Sequence, residues 1–199
     1  MPARLAFCRS GFTLLACLAL AACGDETAAP AAGAPADSLA VGPTADLTLG
    51  EYGVGRITSA TPFDTAAVRA ALPAGFSTER RSVETETGLV PVVWALRDGQ
   101  LVLELYADPS GTRVGRVDAP NEAVAGPGGA RVGQTFADVG GADMACEAGT
   151  DELGGRAVCR GDAGVLYVFA SQQTLGPDLP PAEALADALL ERLVWEAAD

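Results

Sequence analysis

The chain has 199 residues and a net charge of −13, with no histidine and no lysine; all 13 of its basic residues are arginine. The missing side chains exclude a Ser-His-Asp triad, a histidine-bound metal, a Schiff-base lysine and a phosphate-loop lysine. A field this negative repels phosphates, so no nucleic-acid partner is expected, and the plain reading of the charge is solubility.

The N-terminus reads as a lipoprotein signal. Arg4 and Arg9 precede a run from about Phe12 to Ala22, and no acid occurs before residue 23. At about eleven residues the run is too short for a spanning helix, which needs ~20. Leu20-Ala21-Ala22-Cys23 has the form of a lipobox, which makes Cys23 the expected lipidation site. Two acyl chains on Cys23 anchor a protein where one gives only marginal binding. The competing reading is a soluble secreted protein with a chance cysteine. Leu14-Leu15-Ala16-Cys17 is a poorer lipobox, because a cut there leaves too short an apolar run. Gly24 rather than Asp follows Cys23, which by analogy with bacterial sorting favours the outer membrane, facing the periplasm; Asp25 lies one place further on.

Cys8 and Cys17 leave with the signal and Cys23 is lipidated, so Cys146 and Cys159 remain as an even pair in an oxidising compartment. A disulfide is expected. The alternative is a redox pair, but the spacing is far from Cys-x-x-Cys.

Residues 24–45 are rich in Ala, Pro, Gly and Asp and read as a tether. The close pair Gly53 and Gly55 indicates a tight backbone approach. Thr61-Pro62-Phe63-Asp64 predicts a helix to about Leu72, capped by Thr61, with Phe63, Ala67, Val68, Ala71 and Leu72 on its apolar stripe. Strands follow: a polar edge strand over 76–86, an apolar strand over 89–97, the hairpin signal Asp98-Gly99, an alternating strand over 101–107, a turn at 108–111 and a short strand over 113–117. Residues 119–130 form a Gly/Pro loop. Gly133 to Asp138 then repeats the Thr-x-x-Asp cap, and a short helix is predicted to about Met144. Strands are predicted over 156–160 and 165–170, a helix from Pro180-Pro181 to about Arg192, and a last short strand at 193–195. The order of elements hints at an internal duplication.

This constellation resembles a family of small bacterial envelope lipoproteins of unknown function, some described as regulated by the envelope-stress sigma factor, sigma-E. The resemblance covers residues 50–196 or so. It rests on Gly53 to Ile57, Thr61 to Asp64, Leu72-Pro73, Gly133 with Phe136, Cys146 and Cys159, Tyr167 to Phe169 and Val194-Trp195. It implies one α+β domain, a lipid anchor, a disulfide and no assigned activity, and it supplies no catalytic residues.

No catalytic signature emerges from the residues themselves. Asp138 with Asp143, or Asp151 with Glu152, could serve as acid and base, but 26 acids give many close pairs by chance. The acidic stretch from Glu147 to Glu152 lacks the spacing of a calcium loop. Gly126-Pro127-Gly128-Gly129 is not followed by a lysine-bearing helix, so it reads as a plain loop rather than a phosphate cradle. Trp94, in an apolar strand, is expected in the core, and Trp195 to be more open.

The expectation is therefore an α+β fold: an antiparallel sheet or sheets with a few short helices, in two helix-plus-hairpin repeats. Residues 1–22 are read as signal, 23–45 as lipidated Cys23 and tether, and 46–199 as one globular domain. The expected role is a non-enzymatic, lipid-anchored interaction module in envelope maintenance or stress response. Its partners would be the membrane, through Cys23, and an unknown envelope protein, with no cofactor, metal site or catalytic residue. The alternative is a periplasmic protein that binds a small ligand or cation.

Overall fold

The computed structural model describes residues 47–85, 88–170 and 179–198; the predicted signal, Cys23 and the tether lie outside these. In chain order the strands are β1 (Leu47–Gly50), β2 (Gly53–Val54), β3 (Phe76–Thr85), β4 (Gly88–Arg97), β5 (Gln100–Ala107), β6 (Val114–Ala119), β7 (Val124–Ala125), β8 (Ala145–Ala148), β9 (Arg156–Arg160), β10 (Leu166–Ala170) and β11 (Leu189–Glu196). The α-helix among the described residues is α1 (Thr65–Ala71). Eight strands form one sheet in the order β3-β4-β5-β6-β11-β10-β9-β8, and β2-β1-β7 form a small second sheet. Every neighbouring pair in the large sheet is antiparallel. The result is a single α+β domain, as the sequence leads one to expect.

The inner strands of the two halves of the large sheet repeat each other in register. β3 to β6 form one four-strand meander and β8 to β11 the other, and their last strands meet at the centre. There Val194 faces Asp118, Leu193 faces Ala119 and Trp195 faces Val117, so a pseudo-two-fold axis passes through the Asp118/Val194 pair. Two of the three bulges obey the same axis; the third, at Ala95/Leu96 between β4 and β5, has no counterpart between β9 and β10. Tyr106 faces Arg116 while Ala107 faces Val114, skipping Gly115. Val168 faces Arg192 while Phe169 faces Leu190, skipping Glu191. The entry segments obey it too. Phe63 N–H donates to Thr112 O (2.9 Å) and Val114 N–H to Thr61 O (2.9 Å). Phe136 N–H donates to Ala188 O (2.8 Å) and Leu190 N–H to Gln134 O (2.8 Å). The expected duplication is thus present in register, though the second half lacks the helix.

One face of the sheet carries Val93, Leu105, Val117, Leu193, Tyr167 and Phe169 into the main core, where they meet Leu47, Leu49, Val54, Ile57, Val68, Phe136 and Leu185. Gly53 is needed for this layer: a Cβ there would lie 1.9 Å from Ile57 O, and its φ is +136°. Phe136 meets Phe169 edge-on at 5.1 Å between centroids, and it fits only because Gly141 has no side chain to enter its ring. Cys146 and Cys159 face each other on β8 and β9 and form the disulfide. Closing a loop of this size stabilises by about 3 kcal/mol in the chain-entropy model.

Several predicted elements take another form. The N-cap of α1 is Asp64, which accepts from Ala67 N–H at 2.8 Å. Thr61 and Phe63 instead pair with the start of β6, and Val68 is the buried residue of the helix. The repeated cap does form: Asp138 N–H donates to Thr135 Oγ1 and Thr135 N–H to Asp138 Oδ2. No α-helix follows it, because Gly140 turns left-handed (φ 70°) and leaves a single 3₁₀ turn, Gly141–Asp143. The predicted helix over 181–192 is a 3₁₀ turn, Ala182–Leu185, followed by central strand β11. Trp94 and Trp195 exchange expected roles. Trp195 is 3% exposed in the core, with Nε1–H donating to Glu51 O at 3.0 Å, whereas Trp94 is half-buried on the opposite face.

At Gly115 a Cβ would sit 2.6 Å from Asp108 Cα. Gly115→Ala is expected to lower the unfolding free energy by about 1–3 kcal/mol in a denaturant titration. Gly50→Ala, with nothing within 4 Å, is expected to stay within about 0.5 kcal/mol of the parent.

Candidate functional site

Residues two apart on a strand share a face, and the face away from the main core collects the polar side chains. One row crosses all eight strands: Glu79, Trp94, Glu104, Asp118, Val194, Leu166, Arg160 and Ala145. A chain of contacts runs along and beside this row. Arg81 pairs with Glu79 and lies over the Trp94 ring at 5.4 Å. Trp94 Nε1–H donates to Glu104 Oε2 at 3.0 Å, and the Tyr106 hydroxyl donates to the other oxygen of Glu104. Burial, then the bond to Glu104, raises the Tyr106 pKa well above its ordinary value. Arg116 lies over the Tyr106 ring at 5.2 Å and forks onto Asp118, with Nε to Oδ1 at 2.6 Å and Nη2 to Oδ2 at 2.9 Å.

Asp118 is 2% exposed. Its second partner is Arg192, with Nη1 to Oδ2 at 3.2 Å. Arg116 and Arg192 are equivalent under the pseudo-two-fold axis, so one carboxylate on the axis holds two related arginines. Burial pulls the Arg116 pKa down, but the bonds to Asp118 outweigh it and leave it raised. Beyond Arg192 the network reaches Glu191, which Arg156 binds through Nε and Nη2. The Arg156 bond holds Glu191 below the usual carboxylate range, against the opposing effect of burial. The network spans β3, β4, β5, β6, β11 and β9, and each carboxylate in it has a partner. Such an arrangement locks a sheet face rather than presenting a free acid or base.

A separate cleft of about 390 Å³ lies where the turn between β9 and β10 meets the 3₁₀ turns at 127–129 and 141–143. Asp143, Asp162, Arg160, Tyr167 and Met144 line it. Tyr167 donates its hydroxyl to Pro127 O at 3.3 Å. Burial first, and the Asp162 charge second, raise the Tyr167 pKa. The Gly126–Gly129 segment is thus a packed turn, with Pro127 and Gly128 on the cleft wall.

The carboxylates singled out in the sequence fall in different settings. Asp138 is held below its ordinary range by its bond to Thr135, while Asp143 lines the cleft. Asp151 and Glu152 are exposed on a 3₁₀ turn, Asp151–Leu153. Among the described residues no group of three or more acids or cysteines could hold a metal ion, and no helix is long and apolar enough to cross a membrane. Sequence reasoning missed the Asp118 network. Its signal was the alternation: Arg116 with Asp118, and Glu104 with Tyr106, each two apart on a strand.

Fold and site together define a small α+β domain with a duplicated antiparallel sheet, one face apolar and the other laced by ion pairs. Over residues 41–197 the chain matches a family described as protein of unknown function (DUF1131), and it belongs to that family. The crystal structure of the uncharacterized protein yfeY from Escherichia coli is similar in fold, with a TM-score of 0.56 and 17% identity over 76% of this chain and 99% of that one. No curated protein matches the sequence.

Removing Asp118 strips Arg116 of its carboxylate partner and Arg192 of the nearer of its two. Asp118→Ala is expected to cost about 3 kcal/mol by chemical denaturation. Glu191 has a lower pKa folded than unfolded, so its contribution is present above the ordinary carboxylate pKa of about 4.3 and is lost as pH falls below it. Stability measured from pH 6 down to about 3 should fall less steeply in Arg156→Met than in the parent.

Proposed function

We propose that this chain is a lipid-anchored bacterial envelope protein that acts by binding rather than by chemistry. The observation that carries the reading is the use made of its acids: Glu104, Asp118 and Glu191 hold the sheet face, Asp64 caps α1 and Asp138 caps a turn. The lipobox ending at Cys23 supports the anchor, and the Cys146–Cys159 bond suits an oxidising compartment. The tether over 24–45 would let the domain stand off the outer membrane and meet a partner in envelope maintenance or stress response. Intact mass of the protein extracted from membranes tests the anchor. A triacylated chain beginning at Cys23 is expected, and an unlipidated mass would sink the reading.

A second reading, a binding protein for a small cation, is favoured by the cleft at Asp143 and Asp162 with Tyr167 on its wall. Titration with small organic amines tests it. Binding that Asp162→Asn weakens about tenfold would support it, and no heat with any amine would exclude it.

A further inference from the structure

We infer that the outer edge of β3 pairs antiparallel with β3 of a second copy of this chain, about a two-fold axis at Ser82. β3 is ten residues long, contains no proline, and keeps unbroken register with β4. Its counterpart at the other end of the sheet, β8, has four residues and is stapled by the disulfide. Natural edges are ordinarily shortened, bulged, covered or charged; among the described residues this one is neither short nor bulged, and its charges, Glu79, Arg80, Arg81 and Glu84, are of both signs.

The hairpin also outruns the sheet. β4 pairs with β5 only from Val92 to Arg97. Ser82–Thr85 and Gly88–Pro91 therefore continue as a two-stranded arm, with Leu89 at its end 74% exposed. A two-stranded ribbon alone is marginal in water and gains most from a third strand. On the β4 side Pro91 lacks the N–H that such a strand would need. From Phe76 to Glu84 the outer side of β3 pairs with no other strand among the described residues, and so it is the side that can be extended.

Charge selects the occupant. Antiparallel pairing centred on Ser82 sets Arg80 opposite the partner's Glu84, and by symmetry Glu84 opposite the partner's Arg80. It also sets Arg81 opposite Val83 and Glu79 opposite Thr85, with no like charges opposed. A slip of one residue toward the start of β3 brings Glu79 opposite Glu84, and a slip of two brings Arg81 opposite its own copy. Opposite charges directly across a ladder stabilise it and like charges oppose it. Arg80 and Glu84 are both exposed, and Arg80 is braced over the Phe63 ring at 5.3 Å.

The test uses the full chain, purified in detergent and also in intact cells. Sedimentation is expected to give a reversible dimer. Ser82→Cys should form a covalent dimer on a non-reducing gel, while Ser77→Cys, exposed on the same strand but far from the two-fold axis, should not. Glu84→Arg should weaken the dimer about tenfold or more, and Arg80→Glu combined with Glu84→Arg should restore it. A monomer at every concentration with no Ser82→Cys cross-link overturns the inference. So does cross-linking to another protein instead, equal cross-linking through Ser77→Cys, or a dimer indifferent to the charge at residue 84.

Discussion

Burying a carboxylate is tolerable only when its charge is matched and its oxygens are bonded. Asp118 meets both conditions at the centre of the sheet, through a forked bond from Arg116 and a single bond from Arg192. The strand register depends on this. A slip of one residue between β6 and β11 would turn one partner's side chains to the opposite face and leave a buried charge unmatched. The two meanders join only along these strands within the large sheet. The ion pairs that cross them therefore hold one half of the domain in register with the other.

The two faces of the sheet divide the remaining tasks. The apolar face receives α1, the small β2-β1-β7 sheet and the 3₁₀ turn that carries Leu185, and it supplies the main core. The other face gathers valines such as Val92, Val168 and Val194, all buried, within a polar network whose carboxylates have partners. What the domain offers outward lies at its margins: the long edge of β3, the arm ending near Leu89, and the cleft beside Asp162.

Local chemistry was legible in the sequence and long-range competition was not. Asp98-Gly99 reads as a tight hairpin turn, and both residues have positive φ, 52° and 76°. The cysteine count led to the Cys146–Cys159 bond. The stretch from Leu185 to Leu193 has leucines at helical spacing, but the slot between β6 and β10 needs a strand, and pairing on both sides outweighs propensity. Trp94 was misjudged because a run of apolar neighbours hid the alternation that sets it beside Glu104. The contact of Arg192 with Asp118 spans 74 residues of chain, a distance over which local patterning carries no information.

The axis through Asp118 and Val194 has a consequence for how such a fold can change over time. In an assembly of two identical halves, whatever stands on the axis must face its own copy, so an aspartate there would confront an aspartate. Joining the halves in one polypeptide lifts that requirement. One side of the axis can become valine while the other keeps its charge, and a single carboxylate then serves the arginines of both halves. The same freedom lets one half keep a helix where the other has only a short turn, and one outer strand lengthen while its counterpart is stapled by a disulfide. Tandem fusion thus turns a symmetric sheet into one whose two ends can specialise independently.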